Sequence, residues 1–257
     1  MKLVLPYRAP YNWPALIRFL APRATPGVEQ ANPEFYRRVL PQGWVEVRPD
    51  AHNPHLNVRV EGPARGLTAR LHRLFDTAAP VREIEQHLAR SPRLAATVHR
   101  ESGLRIPGAW DAFELTVRAV LGQQVTVKGA TTLTGRLVER YGERTAHGML
   151  FPSPDALLGQ DLTVIGLPRA RAATLSGVAH AFASAQPPAT MAQLMALRGI
   201  GAWTAQYVAM RAFKDPDAFP ASDLGLLRAA GPDVARQAEA WRPWRAYAAM
   251  HLWLEQH

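Results

Sequence analysis

The hydrophobic pattern of the chain changes its period once, and this change constrains the fold more than any other feature. In residues 44–48 and 56–61, apolar and polar side chains alternate, which is typical of half-buried β-strands. The turn-rich segment 49–54 separates the two strands. A helix is predicted to follow, because four apolar residues then recur at helical spacing. They are Leu67, Leu71, Leu74 and Phe75. We therefore predict an N-terminal α+β domain that ends near residue 87.

From Asp111 onward the hydrophobic period is 3.6 residues, as expected for amphipathic helices. One predicted face carries Val127, Ala130, Leu133, Leu137, Val138 and Tyr141, and another carries Leu175, Val178, Ala179 and Phe182. Prolines punctuate this region near plausible helix boundaries. The pattern predicts that the remaining two thirds of the chain is all helical.

The charge balance narrows the class of partner. The 257 residues include 30 Lys and Arg against 21 Asp and Glu, a formal net charge of +9. Such a balance favours a polyanion, most often nucleic acid, although ribosomal and membrane-surface proteins share it. Lys2, Lys128 and Lys214 are the only lysines. The excess of arginine suits phosphate recognition, but a genome-wide arginine bias is the simpler explanation.

Cysteine is absent, which excludes disulfides, thiolate nucleophiles, cysteine-based zinc sites and iron–sulfur clusters. The histidines lack metal-ligand spacing with carboxylates, so we expect no catalytic metal. No apolar run approaches the roughly 20 residues that cross a bilayer. The first residues also lack the apolar core of a signal peptide. We expect no membrane partner and a cytoplasmic location.

Residues 190–207 read as a helix, a Gly-Ile-Gly turn and a second helix. We expect Gly199 and Gly201 to adopt positive φ and to permit a close approach of another backbone. The second helix then begins with free N–H groups and the positive end of its dipole, which suits a DNA phosphate. An ordinary helix–helix connection is the alternative, because G-x-G is a common pattern.

Asp223 lies just downstream, at the start of a predicted helix. An aspartate in this position is usually only an N-cap. Ser222 is an equally good cap, so Asp223 is available for another role.

The hairpin followed by an aspartate resembles the helix-hairpin-helix, Gly/Pro-rich, catalytic-Asp superfamily of base-excision DNA glycosylases. Within it, the chain resembles the bacterial 3-methyladenine DNA glycosylase II family, the inducible alkylpurine enzymes. The likeness covers nearly the whole chain. It is carried by residues 10–13, 107–114, 121–125, 197–205 and 241–245 together with Asp223 and Trp253. The resemblance implies an antiparallel, TATA-binding-like α+β domain followed by two helical lobes with the lesion pocket in their cleft.

The resemblance also implies a mechanism. Glycosylases that cut the DNA backbone carry a lysine at the position of Trp203, so this chain is expected to be monofunctional and to leave an abasic site. Asp223 is expected to stabilise the oxocarbenium-like sugar and to orient a water molecule. The wedge that fills the gap left by a flipped base comes from Gln123 and Gln124. The family's apolar leucine is replaced here by Gln124.

By the same resemblance, Trp203, Tyr207, Trp253 and Phe19 line the substrate pocket, where an alkylated, cationic purine stacks on them. Core packing is the alternative for each aromatic residue. Arg23 and Arg245 match further pocket positions, although a surface salt bridge explains each of them equally well.

The hairpin residues expected at the DNA phosphate are Leu197, Arg198, Gly199, Ile200, Gly201 and Thr204. The resemblance places a structural Na⁺ or K⁺ ion on the backbone carbonyls of Met195, Leu197 and Ile200. No other cofactor is expected.

The expected organisation is an N-terminal domain at 1–87, a hairpin-bearing lobe at 112–215, and a second lobe made of 88–111 and 216–257. The expected function is excision of 3-methyladenine and 7-methylguanine from double-stranded DNA by a monomer, starting base excision repair. Two alternatives stay open. One is a non-catalytic helix-hairpin-helix DNA-binding protein, and the other is a glycosylase for deaminated or oxidised purines.

Overall fold

The computed structural model describes residues 1–255, and its N-terminal part is a five-stranded antiparallel sheet. The strands are β1 (Lys2–Pro6), β2 (Glu29–Asn32), β3 (Phe35–Leu40), β4 (Gly43–Pro49) and β5 (His55–Glu61), in the spatial order β1-β5-β4-β3-β2. In β5 the side chains of Leu56, Val58 and Val60 are buried and alternate with exposed ones. Both predicted strands are therefore confirmed, and β5 alternates as expected. In β4 the alternation breaks at Glu46, which is buried between Val45 and Val47 and bonded to Arg37 and Arg48.

Two helices cover the buried face of this sheet. They are α1 (Trp13–Leu20) and α2 (Leu67–Phe75), and the bounds of α2 match the predicted helix. The Phe75 ring lies 5.9 Å from the ring of Trp13 and 5.5 Å from that of Tyr36, centroid to centroid. An aromatic cluster thus joins both helices to β3.

The rest of the chain is mainly helical. Its helices are α3 (Val81–Leu88), α4 (Ala95–Arg100), α5 (Ala112–Leu121), α6 (Val127–Tyr141), α7 (Arg169–Ala183), α8 (Met191–Met195), α9 (Ala202–Val208), α10 (Leu224–Ala230), α11 (Val234–Gln237) and α12 (Arg245–Leu254). A short hairpin, β6 (Arg144–Thr145) with β7 (Gly148–Met149), interrupts them. The expectation of an all-helical remainder is wrong at this point, because a two-residue strand has no detectable period. Within residues 1–255, no helix combines the length and the apolarity that a membrane span requires.

Two hydrophobic cores organise the molecule. The first joins the sheet and α1–α4 to α10–α12, and the second runs from Phe113 to Ala212. The first core continues across residue 87, so the domain boundary there stays a sequence-based prediction. The partly buried Met191 and Phe213 pack against both cores and so connect them.

A buried ionic cluster joins the sheet to α5. Arg38 of β3 donates to Glu114 of α5 at 2.5 and 3.2 Å, and both side chains are at least 96% buried. Arg118 donates to Glu114 at 3.2 Å and to Glu29 of β2 at 2.9 Å. Burial raises the pKa of Glu29, but the charges of Arg118 and Arg38 outweigh burial, so this pKa lies below its ordinary value. The cluster fixes the orientation of α5, and with it the turn at Gln123 and Gln124.

Candidate functional site

Asp223 is the N-cap of α10. Its Oδ1 accepts hydrogen bonds from the backbone N–H groups of Gly225 at 2.8 Å and Leu226 at 3.1 Å. The expectation that Ser222 takes this role is wrong, because Asp223 itself satisfies the first free N–H groups of the helix. The capping bonds fix the position of the half-buried carboxylate without using its second oxygen.

Two indole rings complete the surroundings of this carboxylate. Trp253 Nε1 donates to Asp223 Oδ1 at 2.8 Å, and Trp203 Nε1 donates to Oδ2 at 2.8 Å. Oδ1 therefore accepts from three donors and Oδ2 from one. A carboxylate oxygen has about two acceptor sites, so only Oδ2 has capacity left.

Gly225 permits this arrangement, and sequence reasoning missed it. A Cβ at residue 225 would lie 2.9 Å from Asp223 Oδ1 and 3.0 Å from Trp253 Cδ1. Any side chain there would push the indole away from the carboxylate. The available signal was a glycine in the first turn of a helix, two residues after the candidate acid.

The four predicted pocket aromatics lie together beside Asp223. Trp203 and Tyr207, one turn apart on α9, stack with centroids 5.2 Å apart and planes 8° apart. The Trp253 ring lies 6.2 Å from the rings of both Tyr207 and Phe19. A base inserted between two parallel rings needs them about 7 Å apart, twice an ordinary contact distance. The space between Trp203 and Tyr207 is therefore too narrow for a base, which leaves only the outer faces of this cluster for stacking.

The predicted hairpin is formed by α8 and α9, with its turn at residues 196–201. Gly199 has φ of +85°, and a Cβ there would lie 2.0 Å from Thr174 Oγ1. Gly201 has φ of −87° and open space at its Cβ position, so the expectation of positive φ is wrong for this residue. Gly201 occupies the N-cap position of α9, and because it has no side chain, it makes no side-chain hydrogen bond to the first N–H groups of that helix.

The other hairpin residues divide between core and surface. Ile200 and Thr204 are buried, Leu197 is partly buried, and Arg198 is exposed. Ile200 packs into the second core, which anchors the turn. The exposed backbone at Gly201 and the side chain of Arg198 are thus the parts of the hairpin that a phosphate can reach.

The predicted wedge residues behave differently from each other. Gln123 donates through Nε2 to Gly199 O and to Thr204 Oγ1, both at 3.2 Å, so its amide holds the turn against the hairpin. Gln124 is exposed, with φ of +58°. Of the two predicted wedge residues, Gln124 is therefore the one whose side chain is exposed, whereas the amide of Gln123 is bonded to the hairpin.

This geometry agrees with the comparisons with known proteins. Residues 2–111 match the AlkA N-terminal domain, and residues 117–236 match the HhH-GPD superfamily of base excision DNA repair proteins. DNA-3-methyladenine glycosylase 2 of Escherichia coli is 36% identical over 97% of this chain and 95% of its own length. The chain belongs to the DNA-3-methyladenine glycosylase 2 family.

Other relatives of the family differ in length or in sequence. A protein of Mycobacterium tuberculosis named "Probable bifunctional transcriptional activator/DNA repair enzyme AlkA" is 39% identical over 98% of this chain. The chain spans 56% of that relative's length. The solved structure titled "3-methyladenine dna-glycosylase from Archaeoglobus fulgidus" superposes with a TM-score of 0.84 at 21% identity, covering 99% of this chain and 98% of that one. The last likeness supports the fold alone.

Two arginines, Arg23 and Arg211, contact the rings of the aromatic cluster. The Arg23 guanidinium lies 3.9 Å from the Phe19 ring centroid, and its Nη1 donates to Phe19 O at 2.9 Å. Sequence reasoning missed Arg211, which is 4% exposed and lies over both Phe19 and Tyr207, at 4.9 and 5.1 Å. Arg211 lies in a π-helical turn, Ala209–Phe213, that continues α9. Such turns are frequent at functional sites, but no local sequence pattern indicated this one.

Arg245 does not join the pocket. Its guanidinium donates to the carboxylate and carbonyl oxygens of Asp217, at 2.8–3.0 Å, and to Glu239 at 3.2 Å. All three guanidinium nitrogens are thereby bonded to the Asp217 loop and to Glu239. The pocket role implied by the resemblance is replaced by an ion-pair network at the start of α12.

The proposed monovalent cation site lies where α8 ends. The helix ends at Met195, and beyond it Leu194 O accepts from Leu197 N at 3.0 Å and Leu197 O accepts from Ile200 N at 3.1 Å. Among residues 1–255, no group of three or more His, Asp or Glu side chains is arranged to hold a metal ion.

Proposed function

We propose that this chain is a monofunctional DNA glycosylase that excises alkylated, cationic purines such as 3-methyladenine and 7-methylguanine. The observation that carries this proposal is the Asp223 carboxylate, fixed by two backbone N–H groups and two indoles, with acceptor capacity left on Oδ2. The geometry supplies a single oriented carboxylate beside a stacking surface.

One carboxylate suffices for this chemistry. Alkylation at N3 or N7 makes the purine cationic, so the purine leaves as a neutral base when it takes the electron pair of the C1′–N9 bond. Positive charge then develops on the deoxyribose, and a fixed carboxylate stabilises it. Asp223 Oδ2 also accepts a proton of the water molecule that adds to C1′.

The lysines support a hydrolytic mechanism. A glycosylase that cuts the backbone forms a Schiff base through an amine at its site. Residue 203 is a tryptophan, and Lys214 is bound to Asp76, with 2.8 Å between Nζ and Oδ1. Lys2 lies in β1, and Lys128 lies in the exposed first turn of α6. We infer that the product is an intact strand with an abasic site.

The partner we propose is double-stranded DNA containing an alkylated base, bound by a monomer in the cytosol. The net charge of +9 favours DNA, and the Gly201 end of α9 offers backbone N–H groups to a phosphate. Gln124 fills the gap in the stack after the base has flipped. A Na⁺ or K⁺ ion held by the carbonyls of Met195, Leu197 and Ile200 is the one cofactor included in this proposal.

The test is release of free methylated purines from methylated duplex DNA by the wild type and by Asp223→Asn. Asparagine caps a helix as well as aspartate does, so the fold is expected to persist. We expect a loss of at least about 10²-fold in base release with DNA affinity retained. Asp111→Asn is the matched control, because Asp111 is the exposed N-cap of α5 and accepts from Glu114 N at 2.8 Å.

The products distinguish the alternatives. Strand breaks that appear only after alkali support a monofunctional enzyme, whereas breaks without alkali contradict it. Lesion-independent DNA binding with steep salt dependence and no base release supports a binding protein instead. Release of oxidised but not methylated purines supports a glycosylase for another lesion.

A further inference from the structure

Arg211 is a buried cation without an acidic partner. Its guanidinium donates to Pro107 O at 2.7 Å, to Gly108 O at 3.0 Å and to the Tyr207 hydroxyl at 2.5 Å. No carboxylate of the described chain forms an ion pair with it. Burying a charge without an ion-pair partner costs free energy of folding. We therefore looked for a function that requires Arg211 at this position.

The contact determines where the Tyr207 proton points. Arginine has five N–H donors and no acceptor, so the phenol oxygen must accept from Arg211. The phenolic O–H lies in the ring plane, and its hydrogen takes the direction that Arg211 does not occupy. Among the hydrogen bonds of residues 1–255, that hydrogen has no acceptor. Tyr207 therefore presents an unused donor.

The ring that carries this donor lies beside the proposed reaction site. Its ring stacks on Trp203 and meets the edge of Trp253, and both indoles donate to Asp223. Burial raises the pKa of Tyr207, but the charge of Arg211 and of two further arginines outweighs burial, so this pKa lies below its ordinary value. A more acidic phenol is a stronger hydrogen-bond donor.

We propose that the Tyr207 hydroxyl donates a hydrogen bond to an acceptor atom of the flipped purine, and that Arg211 is the positioning residue that keeps the hydroxyl oriented as a donor. The inference rests on the proposed glycosylase function and adds a specificity-determining group to it. The atoms it recognises are a ring nitrogen or a carbonyl oxygen of the base.

This donor matters most for an uncharged base. When the C1′–N9 bond of a neutral purine breaks, the electron pair leaves the purine with negative charge, and water adds to C1′ and gives up a proton that ends on the purine. A donor at the purine stabilises this charge in the transition state. A cationic purine leaves neutral and gains less from the donor. Tyr207 therefore extends excision towards neutral purines with a carbonyl, such as hypoxanthine.

The experiment compares single-turnover release of hypoxanthine with that of 3-methyladenine from duplex DNA. The variants are Tyr207→Phe, which removes one oxygen atom, and the control Tyr141→Phe, which removes a hydroxyl bonded to Asp161 O on the surface. We expect Tyr207→Phe to lower the ratio of hypoxanthine to 3-methyladenine release by about 10²-fold. The control leaves both rates as in the wild type.

Arg211→Met tests the positioning role. If Arg211 acts through Tyr207, the double variant lowers the ratio no further than Tyr207→Phe alone, because coupled residues are non-additive. The ratio corrects for any loss of folded protein. An independent, additive effect of Arg211→Met overturns the positioning role.

The remaining outcomes separate this inference from the function on which it rests. A ratio within about threefold of the wild type in Tyr207→Phe overturns the inference, since an active-site donor is worth far more. Release of 3-methyladenine but no hypoxanthine by the wild type also overturns it. Release of neither base by the wild type overturns the proposed function and the inference together.

Discussion

Gly199→Ala is expected to damage the hairpin for two separate physical reasons. The residue has φ of +85°, which costs about 1–2 kcal/mol for an L-residue with a Cβ. The new methyl group would also lie 2.0 Å from Thr174 Oγ1 and 2.9 Å from Cγ2 on α7. Overpacking of a tight contact typically costs about 1–3 kcal/mol. The expected loss in the free energy of unfolding is therefore about 2–5 kcal/mol, from the midpoint of urea unfolding.

The two contributions can be separated with a second substitution. Thr174→Ala removes the two atoms nearest to the new methyl group, so Gly199→Ala/Thr174→Ala is expected to recover the steric part and retain the backbone part. Gly177→Ala is the matched control, because a Cβ there meets open space within α7, and alanine should stabilise that helix by about 0.5–1 kcal/mol. At a temperature where it remains folded, Gly199→Ala should also bind duplex DNA more weakly. A loss in Gly199→Ala below about 0.5 kcal/mol refutes the steric account of the turn.

Three further predictions follow from other parts of the molecule. Glu114→Gln removes the bidentate partner of the buried Arg38 and leaves the Glu29 carboxylate 3.6 Å away, so it should cost about 3 kcal/mol in the free energy of unfolding, measured with urea. A loss below about 0.5 kcal/mol, as for a surface substitution, contradicts this. Burial lowers the pKa of His251 from 6.5 to about 4, so the unfolded chain binds more protons between those values, and stability should fall by about 3 kcal/mol as pH drops through that window. Unfolding midpoints of His251→Gln should lose this pH dependence, and an unchanged profile contradicts the assignment. Gln124→Gly should stabilise the fold by about 1 kcal/mol, because φ is +58°, yet slow base release from paired DNA more than from a mismatch, where flipping is easier. Equal slowing in both contexts argues against a wedge.

Local sequence patterns predicted the parts of the fold that depend on neighbours in the chain. Alternation placed β4 and β5, and helical spacing placed α2 and α6, because these periods express which face is buried. The cap of α10 was misassigned to Ser222, since two adjacent residues had equal capping propensity and only the backbone path chose between them. The two-residue strands β6 and β7 carry no period and could not be predicted.

The site shows the same division. The Gly-Ile-Gly hairpin and Asp223 were predicted from local sequence. The four aromatic residues of the pocket were predicted because their positions match those of the family that the chain resembles. Arg211 could not be found in this way, because its acceptors at Pro107 and Gly108 lie about a hundred residues away in the chain. For Arg245 the sequence left a pocket position and a salt bridge equally open, because its acidic partner Asp217 lies 28 residues earlier and only folding brings the two together.

The sequence by itself determined the change from strands to helices along the chain, the basic charge, the absence of thiol chemistry and the identity of the single candidate carboxylate. These properties depend on residue type and on local period, which the chain carries without folding. The tertiary structure decided which oxygen of Asp223 retains acceptor capacity, which of Gln123 and Gln124 is exposed, and that Arg211, without an acidic partner, bonds the Tyr207 hydroxyl. These features arise where segments far apart in the chain meet, and there distances and hydrogen-bond directions select one arrangement among those that the residue types permit.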